Sequence, residues 1–187
     1  YEEGFDKNSK ILGWSMTKSI TTTYFGILQY QNKININNPA PIQEWANDER
    51  AKITLNNLIQ MNSGLEWEEK YDRICDATKM LFNSRDMGQV QLEKPLFGKP
   101  NQSWNYSSGT SNLLSKILRK QFKTQQEYLD FWYSSLIDKI GMYSMIVETD
   151  MTGNYVGSSY AWATSRDWAK FGLLYLHNGN WNGEQLF

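Results

Sequence analysis

The sequence predicts a predominantly α-helical unit with few short strands, and three observations carry that expectation. Apolar side chains recur at spacings of three and four over residues 16–30, 112–122, 124–137 and 164–176, the period of a one-sided helix. Only residues 143–162, "YSMIVETDMTGNYVGSSYAW", show the Val, Ile, Thr and Tyr content between glycines that marks extended or turning chain. No internal repeat, low-complexity tract or linker divides residues 1–187, so a single domain is expected. A chain of this length buries about 70% of its unfolded surface, enough for a core without metal or disulfide.

Each element has its own signal. In the first helix Met16, Ile20, Tyr24, Ile27 and Leu28 share a face, and Ser15 takes the N-cap or first-turn position. The polar, proline-containing stretch over residues 32–52 reads as loop. Thr54 caps a short helix carrying Leu55, Leu58 and Ile59, which Ser63-Gly64 ends. "ATKMLFNS" gives one more short helix, and "KPLFGKPNQSWNYSSG" has the Pro, Gly, Asn and Ser density of a long surface loop, a kind of segment that is often functional. Leu113, Leu114, Ile117 and Leu118 define the next helix. Thr124 and Glu127 then form a capping box before Tyr128, Leu129, Trp132, Tyr133, Leu136 and Ile137. Thr164 and Asp167 open the last helix, with a face of Trp168, Phe171, Tyr175 and Leu176 and a stop at Gly179.

Composition removes several function classes. Cys75 is the sole cysteine, so no intrachain disulfide and no paired-cysteine zinc or redox chemistry can be written. The scattered carboxylates and the single histidine, His177, show no metal-ligand spacing, and no cofactor is implied. A net charge of −1 without a basic block argues against a nucleic-acid surface and for a small-molecule or peptide-like partner. No apolar run reaches membrane-spanning length. The opening Tyr-Glu-Glu-Gly-Phe-Asp lacks the layout of a signal peptide and reads as an excised or processed piece. Eight tryptophans and eleven tyrosines are expected to fill the core more often than to line a cleft.

Ser15-Met16-Thr17-Lys18 is the chemical motif to weigh. A serine in a first helical turn sits among free backbone N–H groups and the positive end of the dipole, which favour negative charge on its oxygen. Lys18 falls on the same face one turn on, and a desolvated lysine has a lowered pKa and can act as the neutral base for that serine. Yet 16 serines and 14 lysines make about one such pair expected by chance, and the chain holds one, so spacing alone favours an ordinary cap and a solvated lysine. A second element is needed. Tyr106-Ser107-Ser108 follows a polar loop and precedes a helix, so Tyr106 is placed to enter a cleft and move a proton. The same tripeptide at Tyr133-Ser134-Ser135 lies mid-helix, where Tyr133 reads as core.

Four ordered segments, "GWSMTKS", "ITLNNLIQMNSGLEW", "WNYSSGTSNLLSKILR" and "SSYAWATSRDWAKFGLLYLHNGNWNGEQLF", resemble the serine β-lactamase-like superfamily of penicillin-recognising hydrolases. The likeness is strongest to the branch holding class C enzymes, esterases and 6-aminohexanoate-oligomer hydrolases. It implies an α+β parent fold, a helical region on an antiparallel sheet, of which this chain would be the helical part without most terminal strands. It also implies Ser15 as acylated nucleophile, Lys18 as its base, Tyr106 as the tyrosine of the second motif and an oxyanion hole using the Ser15 N–H and one from a strand late in the fold.

Two departures shape the expectation. Ser108 stands where class C enzymes carry an asparagine that holds a β-lactam side chain, so Ser108 becomes the substrate-binding candidate and the esterase or aminohexanoate side is favoured. Met61, in place of a common histidine, points the same way. His177-Asn178-Gly179 fits the letters of the third motif but belongs to a helix C-terminus, so that motif is expected beyond Phe187. The leading expectation is therefore a serine hydrolase acting on an amide, lactam or ester bond. The rival is a non-catalytic binding or sensor member for a peptide-like or cell-wall ligand. The incomplete sheet face suggests self-association, and the resemblance suggests a periplasmic or secreted home.

Overall fold

The computed structural model describes all 187 residues as seven α-helices and five short strands. Strand β1 (Lys10–Leu12) leads into α1 (Met16–Tyr30). Two 3-10 turns, Gln43–Trp45 and Glu49–Lys52, interrupt the segment expected to be plain loop. Helices α2 (Leu55–Ile59), α3 (Asp76–Asn83) and α4 (Met87–Leu92) precede the long α5 (Ser108–Arg119) and α6 (Gln125–Trp132). Strands β2 (Ile146–Val147) and β3 (Ala161–Thr164) come next, then α7 (Ser165–Leu176) and the pair β4 (Asn180–Trp181) and β5 (Glu184–Gln185). The antiparallel sheet runs β1-β3-β2, with Ile11 opposite Ala163 and Val147 opposite Ala161.

The three threonine caps form as their spacing predicts. The hydroxyls of Thr54, Thr124 and Thr164 accept from the backbone N–H of Asn57, Glu127 and Asp167, which anchors α2, α6 and α7 at their starts. Helix α5 is the structural centre: ten of its twelve residues are buried, and its neighbours include α1, α2, α3, α4 and α6. Tyr24 of α1 packs on Trp132 of α6, and Trp132 and Tyr128 both pack on Tyr155, so aromatic area forms the heart of the core.

Several expectations require correction. The helix expected through residue 137 ends at Trp132, and Tyr133–Ile137 continue as a π turn, in which the Ser135 hydroxyl back-bonds to the Phe131 carbonyl. Tyr133 is therefore half-buried rather than core. On α7 the buried residues are Asp167, Phe171 and Leu174, while Tyr175 and Leu176 of the expected face are exposed, so the buried face is turned from the expected one. Met16 is exposed as well, since α1 begins at the protein surface. Strand β1, helix α4 and the β4–β5 hairpin were not expected. The hairpin turn is Asn182-Gly183, both at positive φ (51° and 92°), the left-handed pair that a two-residue turn demands.

Candidate active site

Gly13, Trp14 and Ser15 make the sharp passage from β1 into α1. The Gly13 N–H donates to the Ala161 carbonyl at 2.7 Å, and a Cβ on Gly13 would overlap the Trp168 indole, so only glycine lets this turn lie against β3 and α7. Trp14 follows at φ +43°, a left-handed conformation rare for a bulky residue and of the kind stored at functional turns. Ser15 then enters helical geometry (φ −65°, ψ −11°), but its hydroxyl caps nothing. The Ser15 N–H likewise has no acceptor within the protein, so an exposed hydroxyl and a free N–H stand together at the positive end of α1.

Lys18 supplies what the hydroxyl lacks. Its Nζ lies 3.1 Å from Ser15 Oγ and donates to the Ser158 carbonyl at 2.9 Å, and the residue is only 6% exposed. Burial lowers its pKa to about 8, against an opposing influence from the Glu69 carboxylate. The same ammonium sits 5.0 Å from the centroid of the Tyr106 ring. The structure thus brings Ser15, Lys18 and Tyr106 together from two distant parts of the chain.

Tyr106 is held from both sides. Before it, the Asn105 N–H donates to the Met61 carbonyl and the Asn105 amide to the Trp67 carbonyl; after it, Ser107 caps α5 by accepting from the Thr110 N–H. Ser108, the fourth expected site residue, is 1% exposed, and its hydroxyl donates to Glu69 Oε1 at 2.7 Å rather than facing open space. The exposed indoles of Trp14 and Trp104 flank the site, the first edge-on to Tyr160 and the second 6.1 Å from the Tyr106 ring. A cavity of about 380 Å³ opens beside Trp104 and Asn105, floored by Leu65 and Trp67 and bordered by Phe97.

Three residues at this site were missed by sequence reasoning. Glu69 accepts from the Ser108 N–H, the Ser108 hydroxyl, the Tyr71 hydroxyl and the Trp67 indole. Burial pushes its carboxyl up, but those four donors outweigh burial and hold it below the ordinary range. Ser158 presents its carbonyl to Lys18, and Asn112 of α5 fixes it by accepting from the Ser158 N–H at 3.0 Å. His177 is the C-cap of α7, away from these groups, as its position before Asn178-Gly179 predicts. No group of three or more His, Cys, Asp or Glu side chains is gathered to hold a metal ion, and no helix is long and apolar enough to cross a membrane.

The beta-lactamase family profile matches residues 3–185, and the chain belongs to that family, whose fold it shares. Among solved structures it is similar to a Bacillus anthracis protein bearing the provisional name 6-aminohexanoate-dimer hydrolase, at 24% identity and TM-score 0.83, covering 100% of this chain and 52% of that one. It is also similar to the D-amino acid amidase of Ochrobactrum anthropi (17% identity, TM-score 0.71, 95% of this chain and 59% of that one). A penicillin binding protein of Bacillus halodurans matches at 12% identity and TM-score 0.70, over 92% of this chain and 62% of that one. The chain therefore spans slightly more than half the length of these structures. No curated protein matches it.

Proposed function

We propose that residues 1–187 form one domain carrying the nucleophile, base and proton-relay residues of a serine hydrolase that acts through an acyl-enzyme on an amide or ester bond. The observation that carries this reading is the approach of Lys18 Nζ to 3.1 Å from Ser15 Oγ beneath the Tyr106 ring, with the lysine out of water and the serine in it. Neutral Lys18 accepts the hydroxyl proton as Ser15 Oγ bonds to the carbonyl carbon. The carbonyl oxygen takes the negative charge beside the free Ser15 N–H. Collapse breaks the bond to the leaving nitrogen or oxygen, which receives the proton from Lys18 directly or through the Tyr106 hydroxyl. Water then attacks the acyl ester, gives its proton to the same base and frees the carboxylic product and Ser15.

Amides and esters are favoured over β-lactams because Ser108 gives its hydroxyl to Glu69 and offers no side-chain amide to a lactam substituent. The names of the Bacillus anthracis and Ochrobactrum anthropi proteins, a 6-aminohexanoate-dimer hydrolase and a D-amino acid amidase, support the amide part of this reading. The test is to treat the full chain with a fluorophosphonate and locate the adduct by mass spectrometry. The expected adduct is on Ser15 and absent from Ser15→Ala. An unlabelled Ser15 would favour a binding domain for a peptide-like ligand instead.

A further inference from the structure

We infer that Glu69 is the positioning residue of this site: its carboxylate locks the turn that carries Tyr106 over Lys18 and sets a negative charge behind that turn. The inference rests on the hydrolase reading above.

The carboxylate is saturated. Oε2 accepts from the Ser108 N–H at 2.6 Å and the Trp67 indole at 2.8 Å, while Oε1 accepts from the Ser108 hydroxyl and the Tyr71 hydroxyl, both at 2.7 Å. An ionised carboxylate has about four lone-pair sites, so none remains to bind a cationic substrate, and Glu69 acts through its neighbours. The Ser108 N–H is the first of α5, one of the donors a helix leaves unpaired, and a carboxylate there is favoured by both the hydrogen bond and the dipole. Tyr106 lies two residues earlier, between this lock and the Asn105 clamp, so the seat of its ring depends on Glu69.

The electrostatic half follows from what surrounds Lys18. From α1 it meets the neutral Ser15 hydroxyl, from the segment before β3 only the Ser158 carbonyl, and from the loop before α5 the Tyr106 ring. Glu69, on the loop before α3, is the carboxylate that acts on it, favouring the ammonium while burial disfavours it. The two influences together keep the lysine within reach of neutrality without making it permanently neutral.

The experiment measures kcat and kcat/KM against pH with p-nitrophenyl acetate for the full chain, Glu69→Gln and Glu69→Asp, with fluorophosphonate labelling alongside. Glu69→Gln should lose kcat on the order of 10²-fold, the effect of a displaced catalytic group, and its acidic limb should move to lower pH because the charge holding the proton on Lys18 is gone. Glu69→Asp should return the limb toward the parent's position. A limb that stays in place in Glu69→Gln, or a kcat equal to the parent's, overturns the inference, since a merely structural role moves rate alone. Failure of the hydrolase reading shows differently, as a parent whose Ser15 takes no label. If Glu69→Gln does not fold, Ser108→Ala removes one donor and keeps the charge: a lower kcat with an unmoved limb supports the lock, and the parent's kcat refutes it.

Discussion

Lys18 Nζ reaches to 3.1 Å from Ser15 Oγ across one turn of α1, and the two residues differ sharply in environment: Ser15 faces solvent while Lys18 is 6% exposed. A substrate carbonyl can approach the hydroxyl from outside while the amine, behind it, stays partly free of its proton. Reversing those environments would leave a shielded hydroxyl and a permanently charged lysine.

The proposed role of Lys18 as base fixes a pH dependence. With a pKa of about 8, roughly a tenth of Lys18 is neutral at pH 7 and nine-tenths at pH 9. The rate kcat/KM on an ester should therefore rise about tenfold between these values, along a single limb centred near pH 8. A profile flat from pH 6 to pH 9 would remove Lys18 from the role of base.

The same shift makes Lys18 a stability liability. Its folded pKa of about 8 lies below the unperturbed 10.5, so between those values the unfolded chain binds more protons and stability rises with pH; below pH 8 the penalty stands in full, on the order of 3 kcal/mol. Lys18→Met removes it but strips the Ser158 carbonyl of its donor, a loss of about 1–3 kcal/mol. The variant should be nearly inactive yet as stable as the parent or more so at pH 7, each kcal/mol raising Tm by about 2–4 °C. The advantage should shrink between pH 8 and 10, which thermal melts across that range would show.

What could be read from the sequence was local. The caps at Thr54, Thr124 and Thr164 involve partners three residues away, and Ser15 and Lys18 are one turn apart, so spacing alone exposes them. Glu69 sits in "EWEEKYD", where neighbouring glutamates resemble a solvated charge run, and only the folded chain brings the Ser108 N–H and hydroxyl to it. The Ser158 carbonyl meets Lys18 across 140 positions and belongs to the backbone, which no side-chain pattern reports. Strand β1 is three residues long and gains its identity from pairing with Trp162, Ala163 and Thr164. Helix α4, six residues including Gly88, is fixed by the Asp86 cap and the Lys116–Asp86 ion pair rather than by periodicity.

Gly13 gives a test of the turn that presents Ser15. In Gly13→Ala the new methyl meets the Trp168 ring, forcing either the indole or the start of α1 to move. Overpacking of this kind costs about 1–3 kcal/mol, which a lowered urea midpoint would register. Because the displacement is next to Ser15, the rate of fluorophosphonate labelling should fall as well, and at urea concentrations far below the unfolding transition.

The two Tyr-Ser-Ser tripeptides give an internal control for the remaining site residue. Tyr106→Phe keeps the ring beside the Lys18 ammonium and removes only the hydroxyl, so the fold and the lysine's surroundings should persist. If the hydroxyl relays a proton to the leaving group, kcat should fall by about 10²–10⁴-fold on an amide, whose nitrogen must be protonated to depart. The fall should be smaller on a p-nitrophenyl ester, whose phenolate leaves without a proton. Tyr133→Phe, in the π turn and packed on the core's edge, should leave both rates at the parent's level. Equal losses on amide and ester for Tyr106→Phe would mean that the hydroxyl serves the attack on the carbonyl, and no loss on either would exclude it from the chemistry.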